Sequence, residues 1–244
     1  KLSYVSGVRS YRDEIIICHG DGSSCRQLTD DGVFNDTPRI SPDGRKVVYM
    51  AWMQDRPRLW ITDIDGKGAK QLDTGWEIAQ PAWRPDGKAL VGVSSKTGKE
   101  GLALIDLDAG TARLLLGDEG ASTPKFSPDG KRIVFASKGN IQIMSADGKN
   151  PKTLTTLHID ANPSFSPDGQ SVGFCRKGGA LVMDLQGKNV TMLAGHIEGI
   201  EYFCWSRNGK SICFSTYENG VYLKHLNSKS AKPIGAGRNP DWYQ

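Results

Sequence analysis

Apolar and polar positions alternate along this chain in short runs, each bounded by a cluster of turn residues, and the runs recur. Ile133-Val134-Phe135-Ala136 follows Ser127-Pro128-Asp129-Gly130, and the stretch "SPDGKRIVF" has close copies in "SPDGRKVVY" from 41, "RPDGKALVG" from 84, "SPDGQSVGF" from 166 and "SRNGKSICF" from 206. Alternation of this kind between turn signals predicts β-strands. In the turn, proline presets φ at about −65° at the second position, aspartate tolerates the third, and glycine takes the left-handed conformation that closes a type I turn with a bulge. Each copy therefore predicts a hairpin joining two antiparallel strands, A and B.

Spacing turns the hairpin into an architecture. Asp43, Asp86, Asp129, Asp168 and Asn208 occupy the same turn place, at intervals of 43, 43, 39 and 40 residues. A period of about 40 residues is that of four-stranded propeller blades. Each interval holds a second hairpin, C–D, as in "RLWITDIDGKGAKQL" and "NIQIMSADGKNPKTL". At the start, "LSYVS" and "EIIICHGDGSSCRQL" supply B, C and D without an A strand; at the end, Asn239-Pro240-Asp241-Trp242 repeats the A-strand opening Gln80-Pro81-Ala82-Trp83 and stops. The expectation is an all-β, six-bladed β-propeller in one domain, 1–244, closed by pairing of its terminal strands. Its split blade takes 1–29 plus 238–244, and the others fall at about 37–72, 80–116, 123–155, 162–194 and 202–235.

The 38% apolar content and 29 glycines suit an all-β domain rich in turns, and the ring leaves no room for another domain. No apolar run is long enough to span a bilayer, and no signal-peptide pattern opens the chain. Lys1 in place of methionine predicts a processed or trimmed product. Of the five cysteines, Cys204 and Cys213 flank the A–B turn symmetrically and Cys18 and Cys25 lie on the arms of a C–D hairpin. Each pair is either a disulfide or two buried thiols, with Cys175 left over. No Cys-x-x-Cys or His/Cys grouping points to zinc.

The repeated Pro-x-aromatic-Ser-Pro-Asp-Gly-Lys, followed by an apolar strand, Asp-x-Asp-Gly and Arg/Lys-x-Leu, resembles the WD-like repeats of the TolB-type β-propeller, and the ending "NPDWYQ" resembles the closure of those chains. The resemblance covers nearly the whole chain. It implies a periplasmic, monomeric, non-catalytic adaptor. The propeller of such an adaptor holds a protein or peptide, a peptidoglycan-associated lipoprotein in that family, at the mouth of its channel.

The D–A loops surround one mouth of such a channel and carry the candidate binding residues. Counting back from the A-strand anchors Ile40, Trp83, Phe126, Phe165, Trp205 and Trp242, which should wedge between blades, the third place holds Thr37, Gln80, Thr123, Asn162, Tyr202 and Asn239. The fourth place adds Asp36, Ser122, Glu201 and Arg238. Trp76 and His158 share the seventh, and Glu77 and Glu198 stand in the same loops. These loops hold ten acids (Asp30, Asp31, Asp36, Asp73, Glu77, Asp118, Glu119, Asp160, Glu198, Glu201) against Arg238. With a net charge of +4 overall, the opposite face is basic. No cofactor is expected; an acidic funnel favours a cationic peptide segment, and a divalent cation in the channel is the alternative occupant. Gly-x-Ser-x-Gly is absent, which argues against a serine hydrolase. A lyase-like or metal-dependent enzyme using His158, His196, Asp160 and Glu198 is the alternative, as is a sensor or scaffold module of a larger protein. The basic turns lack interleaved aromatics, so nucleic acid is not an expected partner.

Overall fold

The computed structural model describes residues 2–6, 13–53, 56–96, 98, 100–194, 199–218 and 220–242. Every regular element among them is a β-strand, and no helix is long and apolar enough to cross a membrane.

The repeat period predicts six equivalent blades; the structure corrects this. Five blades, not six, are continuous four-stranded meanders. Blade 1 uses Phe34–Ile40, Lys46–Met53, Arg56–Asp63 and Lys70–Gln71, and blade 2 uses Ile78–Trp83, Ala89–Ser94, Gly101–Asp106 and Thr111–Gly117. Blade 3 uses Ala121–Phe126, Arg132–Ser137, Asn140–Ser145 and Lys152–Thr153. Blade 4 uses Asp160–Phe165, Ser171–Arg176, Gly179–Asp184 and Thr191–Ala194, and blade 5 uses Ile200–Trp205, Ser211–Thr216, Gly220–His225 and Lys232–Ala236. The remaining sheet is composite: Arg238–Trp242 from one end of the chain pairs with Leu2–Ser6 from the other, beside Glu14–Cys18 and Arg26–Gln27. Its closing pair has no hairpin to set the register. Leu2 opposes Trp242 and Ser3 opposes Asp241, but the ladder then slips so that Val5 opposes Arg238.

The A–B turns show why one short motif recurs. Ser41 Oγ donates to Asp43 at 2.6 Å, the Asp43 carboxylate accepts the Arg45 N–H at 3.0 Å, and Gly44 N–H returns to Ser41 O at 2.8 Å. Asn208 takes the same acceptor role in blade 5, receiving Ser206 Oγ at 2.8 Å and Lys210 N at 3.0 Å. The turn glycines Gly44, Gly87, Gly130, Gly169 and Gly209 have φ of 67–72°, a left-handed conformation that only glycine adopts freely. Once the turn is set, the ninth motif residue falls in the middle of strand B: Tyr49, Phe135, Phe174 and Phe214 there are fully buried between neighbouring sheets. Blade 2 has Gly92 instead, and Ile78 fills the space; a Cβ at Gly92 would stand 2.5 Å from Ile78 Cγ2.

Candidate functional site

Strand A is the innermost strand of each blade, and all five continuous blades carry an extra residue in it relative to strand B. The register slips between Asp36 and Arg39, Ala79 and Ala82, Ser122 and Lys125, and Ala161 and Ser164. The bulged residues Thr37, Gln80, Thr123 and Asn162, with Asn239 in the composite sheet, have φ of 47–51°. Each precedes a proline, which lacks an N–H and so leaves no donor stranded where the ladder breaks. Left-handed backbone in threonine and glutamine is strained, and here it turns a polar side chain to the channel.

These residues meet with Asp36, Glu201 and Tyr202 around a cavity of about 260 Å³ at the D–A end of the channel. Part of their hydrogen-bonding capacity joins neighbouring blades. Asn239 Nδ2 donates to Asp36 Oδ1 at 2.6 Å, Gln80 Oε1 accepts Thr123 N at 2.7 Å, and Asn162 Nδ2 bonds Glu201 O.

Several expected positions turn out otherwise. Tyr202 is not equivalent to its five counterparts: Phe203 follows it instead of proline, the bulge moves to Glu201, and its backbone stays out of the left-handed region. Only 7% exposed, Tyr202 hydrogen-bonds Arg39 across the channel. Arg238 pairs with the buried Asp13 at 2.6 Å and approaches Asp36 at 3.8 Å, so it welds the ring closure. Trp76 and Glu77 lie away from the channel beside blade 2, where Lys96 Nζ stands 5.3 Å over the indole and Arg56 pairs with Glu77 at 2.9 Å. His158 is exposed and tied to Asn140 at 3.0 Å. Ser122 is half-buried in strand A. Asp160, 1% exposed, pairs with Arg176 at 2.6 Å. His196 and Glu198 fall outside the described residues. Of the ten loop acids, Asp36 and Glu201 reach the channel-mouth cavity among the described residues. No group of three or more His, Cys, Asp or Glu placed to hold a metal occurs among the described residues. Cys18 and Cys25 are joined in a disulfide, while Cys204 and Cys213 face each other across the strand pair as buried thiols and Cys175 is a third.

The floor of the cavity is cationic. Arg39 and Lys125 occupy the place one before the anchor in blades 1 and 3, where period-two alternation aims them inward. Both line the D–A cavity and also a larger one of about 450 Å³ at the A–B end. They form the layer between the two. Arg39 is 4% exposed and also donates to Pro38 O at 2.7 Å, with its guanidinium 5.1 Å over the Tyr202 ring. Burial opposes its charge, but Tyr202 and Asp241 hold its pKa above the usual value. Burial, seconded by the Arg39 charge, pushes Lys125 down to about 7 against the opposing pull of Asp241 and Cys204. Burial likewise pushes the Tyr202 phenol up to about 12, with Arg39 opposing.

A stability profile follows from Lys125. Its folded pKa lies below the unfolded value, so between about pH 7 and 10 the unfolded chain binds the extra proton and stability rises with pH. Lys125→Met should therefore stabilise the protein most below pH 7, by about 1–3 kcal/mol after screening by channel water. The advantage should fade towards pH 10. Denaturant unfolding of both proteins at pH 6, 8 and 9.5 measures it, and a pH-independent difference would contradict the burial of this charge.

The sequence profile of the TolB beta propeller domain family matches residues 1–142. A TolB homolog from Chlorobaculum tepidum is 30% identical over 76 residues, 31% of this chain and 18% of that protein. The Tol-Pal system protein TolB 1 from Novosphingobium aromaticivorans is 31% identical over 67 residues, 26% of this chain and 15% of that protein. The matched segments thus span less than a fifth of these curated relatives. The crystal structure of TolB from Acinetobacter baumannii superposes with a TM-score of 0.84 at 21% identity, covering 99% of this chain and 66% of that one.

Proposed function

The chain belongs to the TolB beta propeller domain family, and from that premise we propose that it is a non-catalytic, protein- or peptide-binding propeller that docks its partner on the D–A face. The observation that carries this reading is the distribution of exposed apolar bulk. Of the seven large apolar side chains exposed among the described residues, Leu157, Ile159 and Tyr217 stand on D–A or B–C connections, and Trp52 and Met53 end strand B of blade 1 where it runs into its B–C connection. Those connections share one face of the ring. Exposed apolar side chains on the same face as polar and acidic loops are the composition of a docking surface. Trp76 and Glu77 at its edge and Glu201 at the channel extend the same face. The names of the relatives support a Tol-Pal setting, hence a periplasmic adaptor whose partner is a peptidoglycan-associated lipoprotein.

The test is direct binding of the soluble portion of such a lipoprotein by calorimetry. Leu157→Asp with Ile159→Asp should weaken binding about 100-fold, and Glu77→Lys with Glu201→Lys about 10-fold. Asp36 is left intact because it holds Asn239 and the Thr37 N–H. Unchanged affinity in both variants would remove the D–A face as the docking surface.

A further inference from the structure

We propose that the A–B end of the channel is a binding site for a small organic monocarboxylate, held through its carboxylate by Arg39 and Lys125 with its apolar body against Trp83, Phe126 and Phe165. This cavity opens on the face opposite the proposed docking surface, and its volume of about 450 Å³ lies in the range of small-molecule pockets. Its aromatic wall comes from the anchors of blades 2, 3 and 4. Its charge comes from places where the repeats differ. One residue before the anchor stand Arg39, Ala82, Lys125, Ser164, Cys204 and Asp241. At the rim, Arg207 replaces the turn proline of the other four copies.

Two facts point to an anionic ligand. Neither Arg39 nor Lys125 forms an ion pair among the described residues. Arg39, though 4% exposed, has its Nε without any hydrogen-bond acceptor. A buried cation lacking a counter-charge is costly, and a guanidinium presents the planar fork that a carboxylate fits. Asp241 supplies one negative charge nearby, but its Oδ2 is engaged by the Ile40 N–H at 2.9 Å. In the buried layer two cations face one acid, which leaves room for one negative charge, while the third cation, Arg207, is exposed at the rim and screened by solvent. That charge balance, with the apolar wall, favours a monocarboxylate over a phosphate dianion.

The experiment titrates the whole chain with phenylacetate, its neutral isostere phenylacetamide and inorganic phosphate. Calorimetry and tryptophan fluorescence follow it, Trp83 and Trp242 lining the cavity. Phenylacetate should bind saturably and at least about 10-fold more tightly than either control, and Lys125→Met should weaken it about 10-fold. Arg207→Ala, an exposed change that leaves the fold alone, should weaken it about 2-fold to 5-fold. Equal binding of the amide, tighter binding of phosphate, undiminished binding by Lys125→Met, or no saturable binding up to about 20 mM overturns the proposal. N-acetylglycylphenylalanine identifies the carboxylate source: tighter binding than phenylacetate marks a peptide chain end and weaker binding a free small molecule, and either upholds the site. Lipoprotein binding at the D–A face should be unaffected by Arg207→Ala, because Arg207 lines the A–B end and not the D–A cavity, so the two proposals fail separately.

Discussion

Phe174→Ala is expected to destabilise the protein by about 3–5 kcal/mol, the range for emptying a fully buried aromatic site. Phe174 is fully buried in one cluster with Val134 and Ile141 of blade 3 and Phe165, Val172 and Met183 of its own blade 4. Strands pinned in twisted sheets on both sides cannot collapse far into the space, so the cavity persists. For a domain of this size the loss corresponds to a drop in Tm of about 10 °C. Urea unfolding followed by tryptophan fluorescence should show a lower midpoint with an unchanged slope. A loss under about 1 kcal/mol would mean that blades 3 and 4 are not wedged together by this ring.

The second large effect concerns closure. Asp13 is fully buried and its carboxylate lies 2.6 Å from the Arg238 guanidinium, tying the residue before Glu14–Cys18 to the last strand. Removing one partner of a buried pair leaves the other charge uncompensated, so Asp13→Ala should cost about 3 kcal/mol, softened by Asp36 at 3.8 Å from Arg238. The double variant Asp13→Ala with Arg238→Met carries no orphan charge and should regain about half of the loss. A double-mutant cycle gives the coupling directly. Additive losses would show that the pair does not hold the ends together.

Much of this molecule is legible in single stretches of sequence. Ser-Pro-Asp-Gly contains its own turn, because the hydroxyl, the carboxylate and the glycine needed to close it lie within four residues. The anchors declare themselves by bulk: Phe126, Phe165, Trp205 and Ile40 are buried, and Trp83 and Trp242 are half-buried. The site was less legible. Counting back three places located the channel-mouth polar residues, yet Tyr202 broke the series, and the absent proline after it was the available signal. Arg39 and Lys125 stood one place from the anchors in "PRIS" and "PKFS", charged residues set between a buried proline and a buried anchor, and alternation alone aims them inward. His158 and Trp76 share an aligned place but not a role, because Asn140 holds one and Lys96 and blade 2 shelter the other.

The residues alone determined the hairpins, their period of about 40 and the polar character of the channel mouth, since each depends on neighbours in the chain or on a repeated local rule. Only the tertiary structure decided which cysteines join, which acids are consumed by Arg176 and Arg238, and that two cations meet at the centre of the ring. The two cations and the Tyr202 ring they share come from blades 1, 3 and 5, Arg39 and Tyr202 being 163 positions apart, and no local pattern encodes a distance that exists only once the circle has closed.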